Sequence, residues 1–195
     1  MRIAFDGTTL TPGRTGVGYY TEHLLQHLAR EVESTGDELV VISNQPVDTQ
    51  VPLPAHVRVH AGHRFPIRIG WMQLRAARAL EALAPDVAHF TNGMVPAGTA
   101  VSTVVTIHDM SLRLYPQCHP MRRLLLNRPL MHVAIQRASA IVTVSHSTRR
   151  DLLRLHGLAP ERGQPDRFPA GRGPVGDANR GADGRVDVFS GSGTP

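Results

Sequence analysis

Lysine is absent from this 195-residue chain, cysteine occurs once, and long apolar runs are missing. All 21 basic residues are arginines, a bias expected of a GC-rich coding sequence rather than of a binding surface. The single cysteine, Cys118, excludes an internal disulfide and fits a reducing compartment. No signal peptide is evident, and no apolar run approaches the roughly 20 residues that a membrane-spanning helix needs. These absences predict a soluble, cytoplasmic protein.

Large apolar side chains become scarce near the end of the chain. Residues 163–195 contain no Leu, Ile or Met, and about a third of them are Gly or Pro. Such a segment cannot bury enough surface to offset the entropy lost on ordering it. We therefore predict one folded domain over residues 1–162, which is long enough for a single core, and a disordered Gly/Pro/Arg-rich tail over residues 163–195.

The formal net charge of +5 predicts mild attraction to anions. Arg and Asp cancel within the tail, and the charges of the folded part read as interleaved, without a concentrated basic stripe. We therefore predict no nucleic-acid partner and at most peripheral contact with a membrane.

Apolar β-type runs alternate with amphipathic helical patterns through the first 162 residues. Alternation of this kind predicts a parallel, doubly wound α/β sheet of six or seven strands with helices on both faces. The predicted strands cover residues 3–5, 39–42, 57–59, 86–90, 101–107 and 141–145.

Four longer segments have a helical pattern. The first has apolar residues at a period close to 3.6 between Val17 and Val32, and the second covers residues 69–83. The third, 121–138, is predicted to kink or restart at Pro129. Ser145, Ser147 or Thr148 is predicted to cap the fourth helix, which covers residues 149–156.

Polar residues follow several predicted strands, where open parallel sheets bind ligands. The loop from Gly13 to Gly18 precedes the first helix, so its amides could approach a phosphate at the helix N-terminus. The loop lacks the third glycine of a dinucleotide fingerprint, so a tight turn explains it equally well. The other candidates at strand ends are Asp6, His89 to Asn92, His108 with Asp109, and Ser145 with His146.

Several of these patterns favour simple structural roles. His108 and Asp109 are adjacent on an extended chain and point to opposite sides, so they are not predicted to form a dyad. His23 and His27 have a zinc-compatible spacing but lie off the apolar stripe of their helix, which favours a solvated surface. No Asp-x-Asp pair is present, so no metal is expected. Cys118 has no evident acid–base partner and is interpreted as a spectator thiol.

Five segments taken in order resemble the N-terminal half of glycosyltransferase family 4, from Arg2 to about Arg162. The resemblance implies a retaining enzyme of the GT-B fold, with two Rossmann-like domains that face each other across a cleft. It also implies that the N-terminal domain recognises the acceptor and the C-terminal domain holds the nucleotide-sugar donor. The segments are RIAFDG, TGVGYYTEHLLQHL, PDVAHFTNGMVP, VVTIHDMSLRLYP and ASAIVTVSHSTRRDL.

Site residues follow from this resemblance position by position. It implies that Gly16 and Gly18 belong to the loop that closes over the donor diphosphate. His108 matches the histidine near the transferred sugar, and Asp109 beside it is the second catalytic candidate. The cleft-lining positions are Asn92 and Ser145. The implied substrates are a nucleotide sugar and a carbohydrate or lipid-linked acceptor, with no metal or other cofactor.

The chain departs from the family pattern after Arg162. Family members continue into an apolar strand and a second domain with a basic pair and two glutamates, whereas no Glu follows Glu161 here. The tail composition is typical of a GC-rich sequence read in a shifted frame. The expectation is an acceptor-side domain, truncated or frameshifted and inactive alone. Two alternatives are a stand-alone binding module or subunit that needs a separate donor-binding domain, and an unrelated nucleotide-binding Rossmann-like protein.

Overall fold

The computed structural model describes residues 1–61, 65 and 67–158 and the backbone of residues 187–190. The helices of this part of the chain are α1 (Gly16–Thr35), α2 (Arg68–Leu74), α3 (Ala76–Leu83), α4 (Ser111–Leu114), α5 (Met121–Arg137) and α6 (His146–His156). The strands are β1 (Arg2–Asp6), β2 (Glu38–Ser43), β3 (Val57–Ala61), β4 (Val87–Phe90), β5 (Ser102–Ile107), β6 (Ala140–Thr143) and β7 (Asp187–Ser190).

The seven strands form one sheet in the order β3–β2–β1–β4–β5–β6–β7. The first six are parallel, which confirms the predicted sheet. The first strand lies inside the sheet, third in this order, where Phe5 pairs with Val41 on one side and His89 on the other. The carboxyl ends of these parallel strands therefore share one edge, which we call the strand-end edge.

Helices cover both faces of the sheet, as predicted. One core packs α1 against β1 and β2 through residues such as Leu25, Ala29 and Phe5. The other core lies on the opposite face and includes Trp71 and Met72 of α2 and Leu80 of α3. It also contains the α5 and α6 residues Met131, Ala134, Ile135 and Leu152. Side chains of β1 alternate between the two cores because successive residues of a strand point to opposite faces.

Two helices differ from their predicted form. The segment predicted as one helix over residues 69–83 is divided at Arg75 into α2 and α3. The helix α5 instead runs unbroken through Pro129. Pro129 is exposed, and so is Leu125, whose carbonyl loses its helical partner there. Water can replace that hydrogen bond, so the proline does not end the helix.

The strand β7 comes from the segment predicted to be a disordered tail. Its backbone pairs antiparallel with β6, with Phe189 opposite Ile141. Within this Gly- and Pro-rich segment, β7 has the sequence Asp-Val-Phe-Ser, in which Val188 is β-branched and Phe189 aromatic, two residue types that favour strands. The rest of the predicted tail, and the domain boundary at Arg162, lie outside the described residues.

Candidate functional site

The helix α1 starts at the strand-end edge, within the segment from Gly13 to Gly18, which we call the glycine loop. The last three residues of this segment are the first three of the helix. Thr15, the residue before the helix, is extended, and its side chain makes no capping hydrogen bond. The backbone N–H groups of a first helical turn have no partner within the helix. Gly16 is exposed. This end of α1 therefore presents amide donors, Gly16 among them, together with the positive end of the helix dipole.

Gly16 and Gly18 have different surroundings. A Cβ atom at Gly16 would meet nothing within 4 Å. A Cβ atom at Gly18 would lie 2.6 Å from Cβ of Arg14 and 2.8 Å from the carbonyl oxygen of Thr9. Gly18 is therefore required for the close approach of the loop to the helix, whereas Gly16 leaves open space above the helix end.

A buried ion pair fixes the glycine loop to the body of α1. The guanidinium of Arg14 donates to the carboxylate of Glu22, and both side chains are about 5% exposed. The same guanidinium donates to Asp48 at 3.0 Å. Glu22 also accepts from the backbone N–H of Gln50 and, at 3.1 Å, of Val51. Sequence reasoning missed this arrangement, for which the only signal was a Glu on the buried face of the first helix.

His108 follows β5 directly, and three neighbours fix its position. Its Nε2 donates to the carbonyl oxygen of Thr91 at 2.8 Å, and its own carbonyl accepts from Oγ1 of Thr148 at 2.9 Å. The Tyr20 ring meets the imidazole edge-on, with 4.9 Å between the ring centroids. A carbonyl oxygen only accepts, so Nε2 carries a proton. In the neutral ring Nδ1 is then an acceptor.

The Asp109 side chain binds a different group from those that contact His108. The backbone N–H of Ser111 donates to its Oδ1 at 2.8 Å, at the start of the short helix α4. Partial burial alone would raise the pKa of Asp109, but hydrogen bonds from Ser111 and electrostatic interactions with His108 and His119 bring it below its usual value. His108 and Asp109 therefore bind different groups, as their adjacency on an extended chain predicted.

Two hydrogen-bonded groups of side chains adjoin His108, one through Thr91 and the other through Tyr20. Thr21 donates to Thr91 at 3.0 Å, and Nε2 of His89 meets Oγ1 of Thr106 at 2.9 Å. The Tyr20 hydroxyl lies 3.3 Å from the same Thr106 oxygen. Desolvation lowers the pKa of His89 to about 4, so this ring is neutral at pH 7.

Asn92 lies beside Arg68, a residue that sequence reasoning missed. Its amide oxygen accepts from the Arg68 guanidinium at 2.9 and 3.2 Å in the orientation that satisfies both groups. Arg68 also interacts electrostatically with Asp6, which is 1% exposed and accepts from the backbone N–H of Thr8 at 2.9 Å. Burial raises the pKa of Asp6, and the Thr8 hydrogen bonds and the Arg68 charge oppose that shift. Arg68 lies directly before the segment 69–83 that was predicted to be helical, and the sequence pattern gave no signal that it faces the site.

Ser145 is the N-cap of α6. Its Oγ accepts from the backbone N–H of Thr148 at 3.1 Å, and Thr148 in turn donates to His108. Of the three predicted caps, the first is therefore the one used. Thr148 therefore links the start of α6 to the backbone of His108.

The fold thus brings the predicted site residues to the strand-end edge, but most of them do not hydrogen-bond directly to one another. His23 and His27 lie apart from it on the exposed side of α1, where the His27 ring contacts the His23 carbonyl at 2.8 Å. Among residues 1–158, apart from those that the structure leaves undescribed, no group of three or more His, Cys, Asp or Glu is arranged to hold a metal. No helix in the described part of the chain is long and apolar enough to cross a membrane.

One family model matches most of the chain. The model named Glycosyltransferase Family 4 matches residues 14–164. The O-antigen chain mannosyltransferase B of Escherichia coli is 28% identical over 178 residues, which cover 83% of this chain and 45% of that protein. The chain therefore spans less than half the length of this relative.

Two solved structures give weak matches to this chain. The UDP-GlcNAc 2-epimerase of Methanocaldococcus jannaschii matches with a TM-score of 0.45 and 13% identity, over 80% of this chain and 43% of that one. The C-terminal domain of the Coenzyme A biosynthesis bifunctional protein CoaBC matches with a TM-score of 0.36 and 12% identity, over 75% and 74%. Both scores are too low to support any conclusion about this chain.

Proposed function

This chain belongs to glycosyltransferase family 4, and from that membership we propose that it acts in the transfer of a sugar, with retention, from a nucleotide sugar to a carbohydrate or lipid-linked acceptor. One observation carries the proposal. An imidazole with a fixed tautomer, His108, lies at the same edge as an uncapped helix N-terminus. The proposed compartment is the cytoplasm, in keeping with the single free cysteine.

The N-terminus of α1 is the proposed site of the donor diphosphate. Backbone N–H groups and the helix dipole both favour an anion there, and the open space above Gly16 admits a phosphate close to the backbone. The buried Arg14–Glu22 pair holds the loop in place before the donor arrives. Because these donors are preorganised, they can stabilise the charge that develops on the leaving diphosphate.

His108 is the proposed partner of the transferred sugar. Its Nε2 is occupied by the Thr91 carbonyl, so Nδ1 is the atom available to accept from a sugar hydroxyl. The side chains of three residues hydrogen-bond to other groups of the protein, and these residues are Asp109, Asn92 and Ser145. We propose that they contribute to binding indirectly, because they fix the positions of those neighbouring groups. No metal is needed for this scheme.

We also propose that transfer requires a second wall of the cleft. The described residues form one wall, and the chain covers 45% of the E. coli relative. That relative is named a mannosyltransferase, so a nucleotide-activated mannose is the proposed donor. On this view the 195-residue chain binds substrate weakly and transfers sugar only when joined to a donor-binding domain.

The test is a fusion of residues 1–162 to the C-terminal half of a family relative, assayed for transfer from GDP-mannose and UDP-glucose. We expect transfer by the fusion and none by the 195-residue chain. In the fusion, His108→Ala should lower kcat by about 100-fold, as removal of one preorganised group does elsewhere. The control His27→Ala alters an exposed histidine of α1 and should leave kcat unchanged. Transfer by the unfused chain would overturn the second-wall proposal, and an active His108→Ala fusion would overturn the role of the imidazole.

A further inference from the structure

Helix α6 connects the strand-end edge to a second group of basic side chains. At its start, Ser145 caps the helix, and Oγ1 of Thr148 donates to the carbonyl oxygen of His108 at 2.9 Å. In its middle, Leu152 is buried in the core that also contains α5. Its last residue is His156. Because α6 has 11 residues and is only about 16 Å long, a displacement of its end also reaches the residue that holds His108.

His156 packs against the imidazole of His132 on α5. The ring centroids are 5.3 Å apart, and the ring planes are inclined by 30°. The Nε2 atom of His156 is buried and has no hydrogen-bond partner in the described part of the chain. A neutral ring can leave that nitrogen unprotonated, whereas a protonated ring has N–H donors on both nitrogens. A buried donor without an acceptor is costly, so the packed position suits the neutral ring.

The charged neighbours of His156 are basic as well. Among the described residues, the groups that act on it electrostatically are His132 of α5 and Arg113 of α4. Strand β6, which also contacts α6, has the uncharged sequence Ala-Ile-Val-Thr. The acid nearest in sequence on α6, Asp151, is bonded to Arg154 at 3.3 Å. A proton on His156 would therefore add a positive charge to a group that is already basic.

The sequence explains why this region is basic. Between Asp109 and Asp151 the chain has seven arginines and no acidic residue. This stretch contains α4 and α5, the two helices whose basic groups act on the end of α6. The expectation of interleaved charge is therefore wrong for this part of the fold.

Burial lowers the pKa of His156, and electrostatic interactions with His132 and Arg113 lower it further. As pH falls below the ordinary value of 6.5, the unfolded chain takes up this proton before the folded chain does. The contribution of the neutral ring to stability is therefore fully present above about pH 6.5 and is lost as pH falls through the folded pKa. Acid thus acts against the packed position of the ring.

We propose that the contact between His156 and His132 is acid-sensitive: a proton on His156 breaks it, releases the end of α6 and loosens the hold of Thr148 on His108. The release needs neither donor nor acceptor, so it can fail or succeed independently of the proposed function. Its consequence for the site is slower sugar transfer in mild acid, and that consequence rests on the proposed function.

Hydrogen exchange of the 195-residue protein, followed by NMR, tests the release. Between about pH 7.5 and about pH 5.5, the protection factors of amides in the last two turns of α6 should fall at least about threefold more than those of β5. Titration of the His156 ring, followed by its carbon-bound proton, should give a pKa below 6.5. The negative end of the helix dipole alone would instead raise this pKa. A value of 6.5 or above, or equal losses of protection in α6 and β5, would overturn the proposal.

Two variants remove the titrating group. His156→Gln is neutral at every pH, and His156→Leu also takes the unpartnered nitrogen out of the buried position. In both, acid should change the protection of α6 and β5 equally. The control His23→Gln alters an exposed histidine of α1 and should behave as the wild type does. His89 is present in all of these proteins, so its contribution cancels. Acid release of α6 that persists in either His156 variant would overturn the proposal.

The basic neighbours are tested through the pKa of His156. Both Arg113→Gln and His132→Gln remove an interaction that lowers this pKa, so both should raise it. The control Arg30→Gln alters an exposed arginine of α1 and should leave it unchanged. If neither neighbour variant raised the pKa, the group of three basic residues would have no role in the acid response.

The link to His108 is tested in the fusion of residues 1–162 to a donor-binding half. From about pH 7.5 to about pH 5.5, kcat should fall at least about threefold more in the wild-type fusion than in His156→Gln. Thr148→Val removes the hydroxyl that binds the His108 carbonyl, so it should lower kcat at the higher pH and leave the pKa of His156 unchanged. Equal pH dependence of kcat with and without His156 would overturn the link. A fusion without transfer at any pH would refute the proposed function, and hydrogen exchange would still decide whether acid releases α6.

Discussion

Gly16 and Gly18 lie two positions apart but should respond oppositely to a methyl group. At Gly18 the new Cβ would lie 2.8 Å from a backbone oxygen that cannot move without shifting the loop. We expect Gly18→Ala to lower the free energy of unfolding by about 1–3 kcal/mol, as overpacking does. Gly16→Ala, with nothing within 4 Å, is the control and should change it by less than about 0.5 kcal/mol. Denaturant unfolding measures both, and equal losses would contradict the different surroundings.

His89 should make stability depend on pH. Its folded pKa of about 4 lies below the ordinary value of 6.5, so the unfolded chain takes up this proton first as pH falls. The contribution of neutral His89 to stability is therefore fully present above about pH 6.5 and is lost as pH falls from there to about pH 4. The total loss in the free energy of unfolding is up to about 3 kcal/mol. Asp6, with a raised pKa, contributes in the opposite direction.

The variant His89→Gln isolates this contribution because it removes the titration and keeps a donor for Thr106. Unfolding free energies at about pH 7 and about pH 5 should differ less in the variant than in the wild type. The Asp6 contribution is common to both proteins and cancels in the comparison. If the pH dependence of stability were the same in the variant and the wild type, His89 would titrate with an ordinary pKa in the folded state.

At the scale of elements, the Arg14–Glu22 pair joins the glycine loop, α1 and the segment after β2. Glu22→Gln would leave a buried guanidinium with only the half-exposed Asp48 as a charged partner. We expect a loss of about 3 kcal/mol in the free energy of unfolding, because removal of one partner strands the other charge. Glu31→Gln alters an exposed position on the same helix and should change it by less than about 0.5 kcal/mol. Similar values for both variants would mean that the pair contributes nothing.

The helices and strands could be predicted where the residues within each one carry a clear apolar pattern. The six parallel strands and α1 follow from apolar runs and a 3.6-residue period. The break at Arg75 was not predictable because strong helix formers flank it on both sides. The partners of Arg14 and Arg68 come from segments that are distant in sequence, so only tertiary packing selects them. The roles of His108, Asp109, Gly16, Gly18, Asn92 and Ser145 in binding stay predictions.

Helix α5 shows what a linear sequence pattern does not determine, namely which side of a helix is buried. The three consecutive leucines at residues 124–126 could supply an apolar stripe on either side of a helix. Packing against the sheet leaves two of them outside, together with three arginines. The run without acidic residues is visible in the sequence, but which of its side chains meet is a property of the fold.

At the scale of the whole molecule, the two cores share one sheet and should unfold together. The single Trp71 lies in the core formed with α2, α3 and α5, whereas Leu25 of α1 lies in the other. Leu25→Ala should lower stability by about 2–5 kcal/mol. We expect the Trp71 fluorescence transition to shift by the same amount as the circular dichroism transition. A Trp71 transition that stays at the wild-type midpoint would show that the cores unfold separately.

The interior position of β1 in the sheet has a consequence for the order of events during synthesis. The ribosome releases β1 before the other strands of the sheet, and β2, one of its two neighbours, follows soon after α1. The other neighbour, β4, begins only at Val87. Until then one side of β1 has unpaired backbone groups of the kind that recruit foreign strands. The nascent chain is therefore most vulnerable to misassembly after β2 has emerged and before β4 has, and a chaperone or a translational pause would have its greatest effect in that interval.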